Sequence, residues 1–341
     1  MSDDDECPDL ISAKVPVTIL TGFLGSGKTT LLHYVISAEH NLRIAVIVNE
    51  FEFGKTIEKG LYLKSSEKND DEWLELNNGC MCCTAQTQTV QALESLISRK
   101  GTFDIILVET SGLADPRPIA SMFWQDDALC GRIYLSGIVT LVDSVNIMKY
   151  LADSDISNTA SCQLLLADKI ILNKCDIATP TQQEAALSQI RAINPIAEVI
   201  QSQYSQIPDL HHILFIDTTR SLKELECLHI EHHSTIRAIS LEFDGGLAVR
   251  DPQDIDLICK ELLYNSEENE FEAVRCKAAI WMYKDGVYSL LQLQSIGDIF
   301  DVRTMEGHTV PFGCSRVLVL GRNLDAEKLR QIFLTHLKAT K

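Results

Sequence analysis

The stretch Val15-Pro16-Val17-Thr18-Ile19-Leu20-Thr21-Gly22-Phe23-Leu24-Gly25-Ser26-Gly27-Lys28-Thr29-Thr30 decides the fold. Val15 to Leu20 is an apolar, β-branched run that reads as a buried strand, and Thr29 to Ala38 reads as a helix. Between them, Gly22 to Thr29 satisfies G-x-x-x-x-G-K-[ST], a loop that wraps phosphate groups when strand and helix flank it. Glycines let its N–H groups face the phosphates, and the helix N-terminus adds partial positive charge. Gly22, Gly25, Ser26, Gly27, Lys28, Thr29 and Thr30 are the expected nucleotide contacts. Lys28 is expected on the β and γ phosphates, and the Thr29 hydroxyl on Mg²⁺.

Outward from this loop the same alternation continues. Apolar runs at Arg43 to Val48, Asp104 to Glu109, Gly137 to Val142 and Lys169 to Leu172 read as strands. Gln88 to Arg99 and Gln182 to Ala192 read as helices. Short buried strands separated by helices predict an α/β domain with a mostly parallel sheet covered on both faces. Glu109, at the carboxyl end of its strand, stands where a second magnesium contact belongs, and Gly112 would let the backbone approach the γ-phosphate. A plain surface glutamate is the alternative for Glu109. Asn173-Lys174-Cys175-Asp176 follows the Lys169 strand. The two carboxylate oxygens of Asp176 match the two donors on guanine's Watson–Crick edge and clash with adenine's acceptor, which selects GTP over ATP. Lys174 would lie along the purine and Asn173 would brace the loops. Asp217-Thr218-Thr219 is a weaker candidate for completing the base pocket. Leu113 stands where many GTPases carry a water-orienting glutamine, so slow intrinsic turnover is expected, with Glu50 or a bound partner positioning the water.

The chain has 341 residues, 45% apolar and 23% charged, which suits two folded domains rather than a disordered protein. Residues 1–14 read as a flexible acidic tail, 15–222 as the P-loop domain and 223–234 as a linker. Residues 235–341 read as a smaller α+β domain, ferredoxin-like in element order. A net charge of −18 argues against nucleic acid as a partner. The acidic N-terminus is unlike a targeting leader, and no apolar run is long enough to span a bilayer. The expected compartment is the cytosol, with the nucleus as alternative; oligomers are compatible with the sequence.

Gly79-Cys80-Met81-Cys82-Cys83 puts three thiols within four residues. Soft thiolates favour Zn²⁺ or Cu⁺ over hard cations, and a structural zinc takes four ligands. Cys80, Cys82 and Cys83 leave one position for water, Glu50 or a partner's ligand, an arrangement suited to releasable metal. A buried cysteine cluster and a redox thiol are the alternatives. The cluster lies between the Asn49-Glu50 segment and Glu109 to Gly112, so its geometry is open to control by the γ-phosphate. Cys130, Cys162, Cys259 and Cys276 stand singly among apolar neighbours and read as small hydrophobes.

Together, Leu20 to Thr30, Val48-Asn49-Glu50-Phe51, Asn78 to Cys83 and Glu109-Thr110-Ser111-Gly112-Leu113-Ala114-Asp115-Pro116 resemble the CobW family of P-loop GTPases. Trp73 to Leu76, Ala120 to Trp124 and Leu318 to Asp325 are similar to its eukaryotic branch of zinc-regulated GTPase metalloprotein activators. The resemblance implies GTP-driven handling of metal, with GTP, Mg²⁺ and Zn²⁺ involved. It also implies that Cys7-Pro8-Asp9-Leu10 docks on a client, type 1 methionine aminopeptidase. Ile11-Ser12 departs from the end of the docking pattern, and Glu52-Phe53 replaces the family's glycine and second acid. The family often carries metal-handling histidines, and His229, His232 and His233 share one helical face near Cys227; solvated linker histidines are the plainer reading. The expected function is a zinc metallochaperone GTPase. The alternative is a GTP-gated zinc sensor or buffer. A nucleotide kinase would share the P-loop but would leave Asp176 and the cysteines unexplained.

Overall fold

The computed structural model describes residues 14–38, 42–48, 60–64, 72–75, 93, 103–125, 133–216, 236–243, 246–264, 271–305 and 313–339. Its first sheet contains β1 (Val15–Gly22), β2 (Ile44–Val48), β3 (Gly60–Lys64), β4 (Glu72–Glu75), β5 (Ile105–Glu109), β6 (Ile133–Asp143), β7 (Lys169–Asn173) and β8 (Glu198–Gln201). The strand order is β4-β3-β2-β5-β1-β6-β7-β8. From β2 to β8 the strands run parallel, while β3 and β4 extend the edge antiparallel.

Helices α1 (Lys28–Ser37), α2 (Arg117–Gln125), α3 (Ile147–Ala152), α4 (Ser157–Leu165), α5 (Pro180–Ile193) and α6 (Leu210–Leu214) accompany this sheet. Alternate residues of the central strands feed two cores. Ile44, Val46, Ile105 and Leu107 meet Leu31, Leu32 and Val35 of α1, whereas Ala45, Ile47, Ile106 and Val108 meet Ile119 and Phe123 of α2. Burial on both faces is why these strands are continuously apolar. Helix α5 starts where its chemistry says: Thr179 accepts from Gln182 N–H in a capping box, and Pro180 occupies the first turn, where no donor is needed.

After β1 the chain goes to β2 on one side, places β5 between them, then crosses to β6 on the other side. The carboxyl ends of β1, β5 and β6 therefore meet at a topological switch point, where open parallel sheets bind ligands.

A second sheet orders β9 (Ile236–Phe243), β11 (Glu272–Lys284), β12 (Val287–Ile296), β13 (Ile299–Thr304) and β14 (Ser315–Arg322) as β13-β12-β11-β14-β9, all antiparallel. Helix α7 (Pro252–Cys259), continued by a π turn to Tyr264, and α8 (Ala326–His336) cover one face around Phe243, Ile258, Val319 and Phe333. Strand β14 sits between β9 and β11, so β9-α7-β11 is a split βαβ unit, the heart of a ferredoxin-like arrangement. Two short strands, β10 (Leu247–Ala248) and β15 (Lys338–Ala339), pair with each other.

The two sheets share a core. Ile296 of β12 is buried with Val17, Phe123 and Leu135, and Val274 of β11 packs beside them. Next to that contact Asp168 receives Arg275 at 2.6 Å, Lys277, and the Ile138 N–H at 2.8 Å.

Candidate nucleotide site

The phosphate loop is fixed by close packing around its glycines. Gly22 has φ +136°, and a Cβ there would lie 2.2 Å from the Leu141 carbonyl oxygen of β6. Gly27 caps α1 with φ +107°, and a Cβ would meet Asn173 Nδ2 at 2.4 Å. Only glycine satisfies both the backbone and the space. Lys28 is buried, and its ammonium donates to Gly22 O at 2.7 Å and Phe23 O at 3.2 Å. The ammonium thus rests against the loop's own carbonyls.

The exposed Thr29 places its hydroxyl 3.4 Å from Glu109 Oε1, and Glu109 is fully buried at the end of β5. A hydroxyl and a carboxylate side by side beside the phosphate loop are the hard oxygen donors that Mg²⁺ requires. The residues fit that ion. Thr110 ties this end of β5 to β1 through its hydroxyl on Thr21 at 2.8 Å and its N–H on Leu20 O at 2.9 Å.

Beyond Thr110 the chain folds over the phosphate loop. A Cβ on Gly112 would lie 2.7 Å from Leu24 N and 2.9 Å from Leu24 Cα, so the two backbones touch. The buried Gln163 of α4 donates to Gly112 O at 3.2 Å and Ala114 O at 3.0 Å, holding the loop down. Leu113 between them is 54% exposed. Asp115 would be raised by burial, yet Arg117, together with the Cys162 thiol, holds its carboxyl below the usual range. Burial, then the Asp115 charge, pushes the Cys162 thiol up to about 12. Burial likewise raises Cys276 to about 12 and raises Cys259. These thiols stay protonated at neutral pH, as buried cysteines do.

On the base side Asn173 ends β7 and links three loops. Its amide donates to Ser26 O at 2.9 Å and Ser205 Oγ at 2.8 Å, while its oxygen accepts the Ser205 N–H at 2.9 Å. Ser205 Oγ returns a bond to Gly27 O at 3.0 Å. Lys174, at φ 63°, donates to Asp143 Oδ2 at 2.8 Å. Burial would raise Asp143, but Lys174, Asn146 and the Val145 N–H outweigh it and keep this carboxyl ionised below its usual range. Asp176 stands exposed in the following turn.

The structure thus brings together Gly22, Gly25, Ser26, Gly27, Lys28, Thr29, Thr30, Glu109, Gly112, Asn173, Lys174 and Asp176 at the carboxyl edge of one sheet. Glu50, Cys80, Cys82, Cys83, Asp217 to Thr219, His229, His232, His233, the linker 223–234 and the Cys7 to Leu10 segment lie outside the described residues. Three contributors are additional. Asp143 carried a readable signal, an acid at the carboxyl end of a parallel strand next to the phosphate loop. Gln163 and Ser205 carried none, because their roles exist only through tertiary contact.

The family model for CobW/HypB/UreG nucleotide-binding domains matches residues 16–201. Zinc-regulated GTPase metalloprotein activator 1 of Saccharomyces cerevisiae is 41% identical over 212 residues, covering 57% of this chain and 49% of the relative. Its namesake in Schizosaccharomyces pombe is 41% identical over 204 residues, covering 60% of this chain and 49% of the relative. The chain spans about half the length of these two relatives. The zinc chaperone YjiA of Escherichia coli is 28% identical over 328 residues, covering 94% of this chain and 98% of the relative. The crystal structure of Zn(II)-bound YjiA GTPase matches with a TM-score of 0.59 at 25% identity, covering 95% and 99% of the two chains. The matched segment runs from the strand before the phosphate loop to the last parallel strand, more than half of the sequence, and the chain belongs to the CobW/HypB/UreG family of P-loop nucleotide-binding proteins.

Proposed function

We propose that this chain hydrolyses GTP and couples the cycle to delivery of zinc to a client metalloenzyme. The observation that carries the nucleotide half is the bracing of Asn173 onto the phosphate loop, which ties the loop bearing Lys28 to the segment bearing Asp176. Lys28 would exchange the Gly22 and Phe23 carbonyls for phosphate oxygens. Thr29 and Glu109 would hold Mg²⁺, which when bound offsets charge on the β and γ phosphates. The Asp143 carboxylate orients Lys174 along the purine, and Asp176 reads its two donors. Gly112 would meet the γ-phosphate through its N–H. Leu113 supplies no group to orient water, so Glu50 or a partner must do so.

The zinc half rests on Cys80, Cys82 and Cys83 and on the names of the relatives. Zinc is cargo, held by three thiolates with a fourth position open to exchange. The client is proposed to be type 1 methionine aminopeptidase, engaged by Cys7-Pro8-Asp9-Leu10. The test mixes zinc-loaded protein with apo-aminopeptidase and follows peptidase activity with GTP or a non-hydrolysable analogue. Activation with GTP, absent with the analogue and with the Cys80→Ala, Cys82→Ala, Cys83→Ala variant, is expected. Equal activation by that variant rejects delivery through these thiols. GTP-dependent zinc binding without activation points instead to a sensor or buffer.

A further inference from the structure

The loop after β8, Ser202-Gln203-Tyr204-Ser205-Gln206, is strained and pinned. Tyr204 and Ser205 are consecutive non-glycine residues at φ 52° and 56°. Left-handed backbone at two such positions persists only where surrounding bonds over-determine it. Here they do. Ser205 is fixed by both amide atoms of Asn173 and by Gly27 O, Ser202 O accepts the Cys175 N–H at 3.1 Å, and Ser202 Oγ donates to Gln206 O at 2.9 Å. Every one of these bonds runs within the loop or to the segments already assigned to phosphate and base.

What the strained turn presents is an aromatic ring. Tyr204 is 69% exposed, and Ile177, one residue beyond Asp176, is 66% exposed. Two large apolar side chains thus stand in water on the two loops joined by the Cys175–Ser202 bond, which border the base-reading carboxylate. A planar purine is the ligand that would cover them.

We propose that Tyr204 is a nucleobase-positioning residue that lies against the purine of the bound guanine nucleotide, while Asp176 reads its edge. The proposal rests on the guanine-nucleotide reading above and adds the residue that covers the base. Aromatic stacking does not depend on the donors Asp176 reads, so it supplies affinity rather than selectivity.

The test is calorimetric titration of the full chain with GDP, inosine diphosphate and inorganic tripolyphosphate. Tyr204→Ala is expected to weaken GDP and inosine diphosphate alike by about tenfold and to leave tripolyphosphate unchanged; Tyr204→Phe should stay within about twofold of the parent for all three. Tyr204→Gly should bind GDP as weakly as the alanine variant while its melting temperature holds or rises, because glycine relieves the positive φ. Parental GDP affinity in Tyr204→Ala, an equal loss for tripolyphosphate, or a loss in Tyr204→Phe as large as in Tyr204→Ala would each overturn the proposal. Failure of the parent to bind GDP would instead remove the guanine-nucleotide reading on which it rests.

Discussion

On the proposed guanine-nucleotide reading, single carboxylates would decide most of what this site recognises. An ionised Asp176 has no donor of its own, so it suits the adjacent N1–H and N2–H donors of guanine. Asp176→Asn exchanges one acceptor for an amide donor, which suits xanthine, whose second position is a carbonyl. GTP affinity is expected to fall about 10- to 100-fold, the cost of one or two charge-assisted hydrogen bonds, while XTP affinity rises. Competition titration reads both, and a variant that still preferred GTP over XTP would remove Asp176 from base reading. Gly112 makes a second argument at this scale. A methyl group there must displace Leu24, since the nearest atoms include backbone at 2.7 and 2.9 Å. Gly112→Ala is expected to slow single-turnover GTP hydrolysis at least tenfold with GDP affinity changed by less than about threefold, because GDP lacks the phosphate that Gly112 would meet. In the parent protein, with Leu113 in place, the intrinsic rate is expected on the order of 10⁻³ s⁻¹ or below.

Among the elements, α4 is the one whose importance sequence conceals. The main strands announced themselves as apolar runs because they are buried on both faces, and the second domain's β9, α7, β11, β12, β14 and α8 were legible for similar reasons. Glu198–Gln201 was not, since an edge strand with exposed ends lacks that pattern. Ser157–Leu165 is only nine residues and mixes small and polar side chains, so no 3.6-residue period stands out. Arg117–Gln125 does have helical spacing at Ile119, Met122 and Phe123, a signal the sequence reading missed. The residues gathered at the carboxyl edge of the sheet were readable as G-x-x-x-x-G-K-[ST] and N-K-x-D because each pattern fixes residue type at fixed spacing. The groups that hold them were not. Gln163 reaches Gly112 across 51 residues of sequence, and nothing local marks it. Gln163→Ala would leave two carbonyls of the Gly112–Ala114 loop without this donor, at a cost of about 1–3 kcal/mol. Amide hydrogen exchange of residues 112–115 should accelerate in the variant, and hydrolysis should slow with little change in GDP affinity. Unchanged exchange would show that α4 does not hold this loop.

At the scale of the molecule, the two sheets are joined by a buried charge centre as well as by apolar contact. Asp168 accepts from Arg275, Lys277 and the Ile138 N–H, while Arg275 also donates to Leu166 O. Burial alone would raise Asp168; the two cations and the hydrogen bonds overcome it and lower the carboxyl to about 2 from an ordinary value of 3.8. Burial acts on Lys277 as well, pushing its ammonium down to about 8 against the pull of Asp168, with Arg275 adding to the decrease. Two cations sharing one anion make that anion the element that cannot be spared. Asp168→Asn retains shape but leaves both cations without a counter-charge, and is expected to cost about 3–5 kcal/mol of unfolding free energy by chemical denaturation. Replacing the whole set, Asp168→Leu with Arg275→Met and Lys277→Met, should cost far less, because no uncompensated charge remains. The pH dependence follows from the same group. A carboxyl lowered in the folded state binds fewer protons than in the unfolded chain, so its contribution is complete above the ordinary value and disappears as pH falls from about 4 through about 2. The parent should therefore lose stability more steeply than Asp168→Asn over that interval, and the two curves should converge toward its acid end. Parallel curves would mean that the carboxylate does not hold the second sheet to the nucleotide domain through its charge.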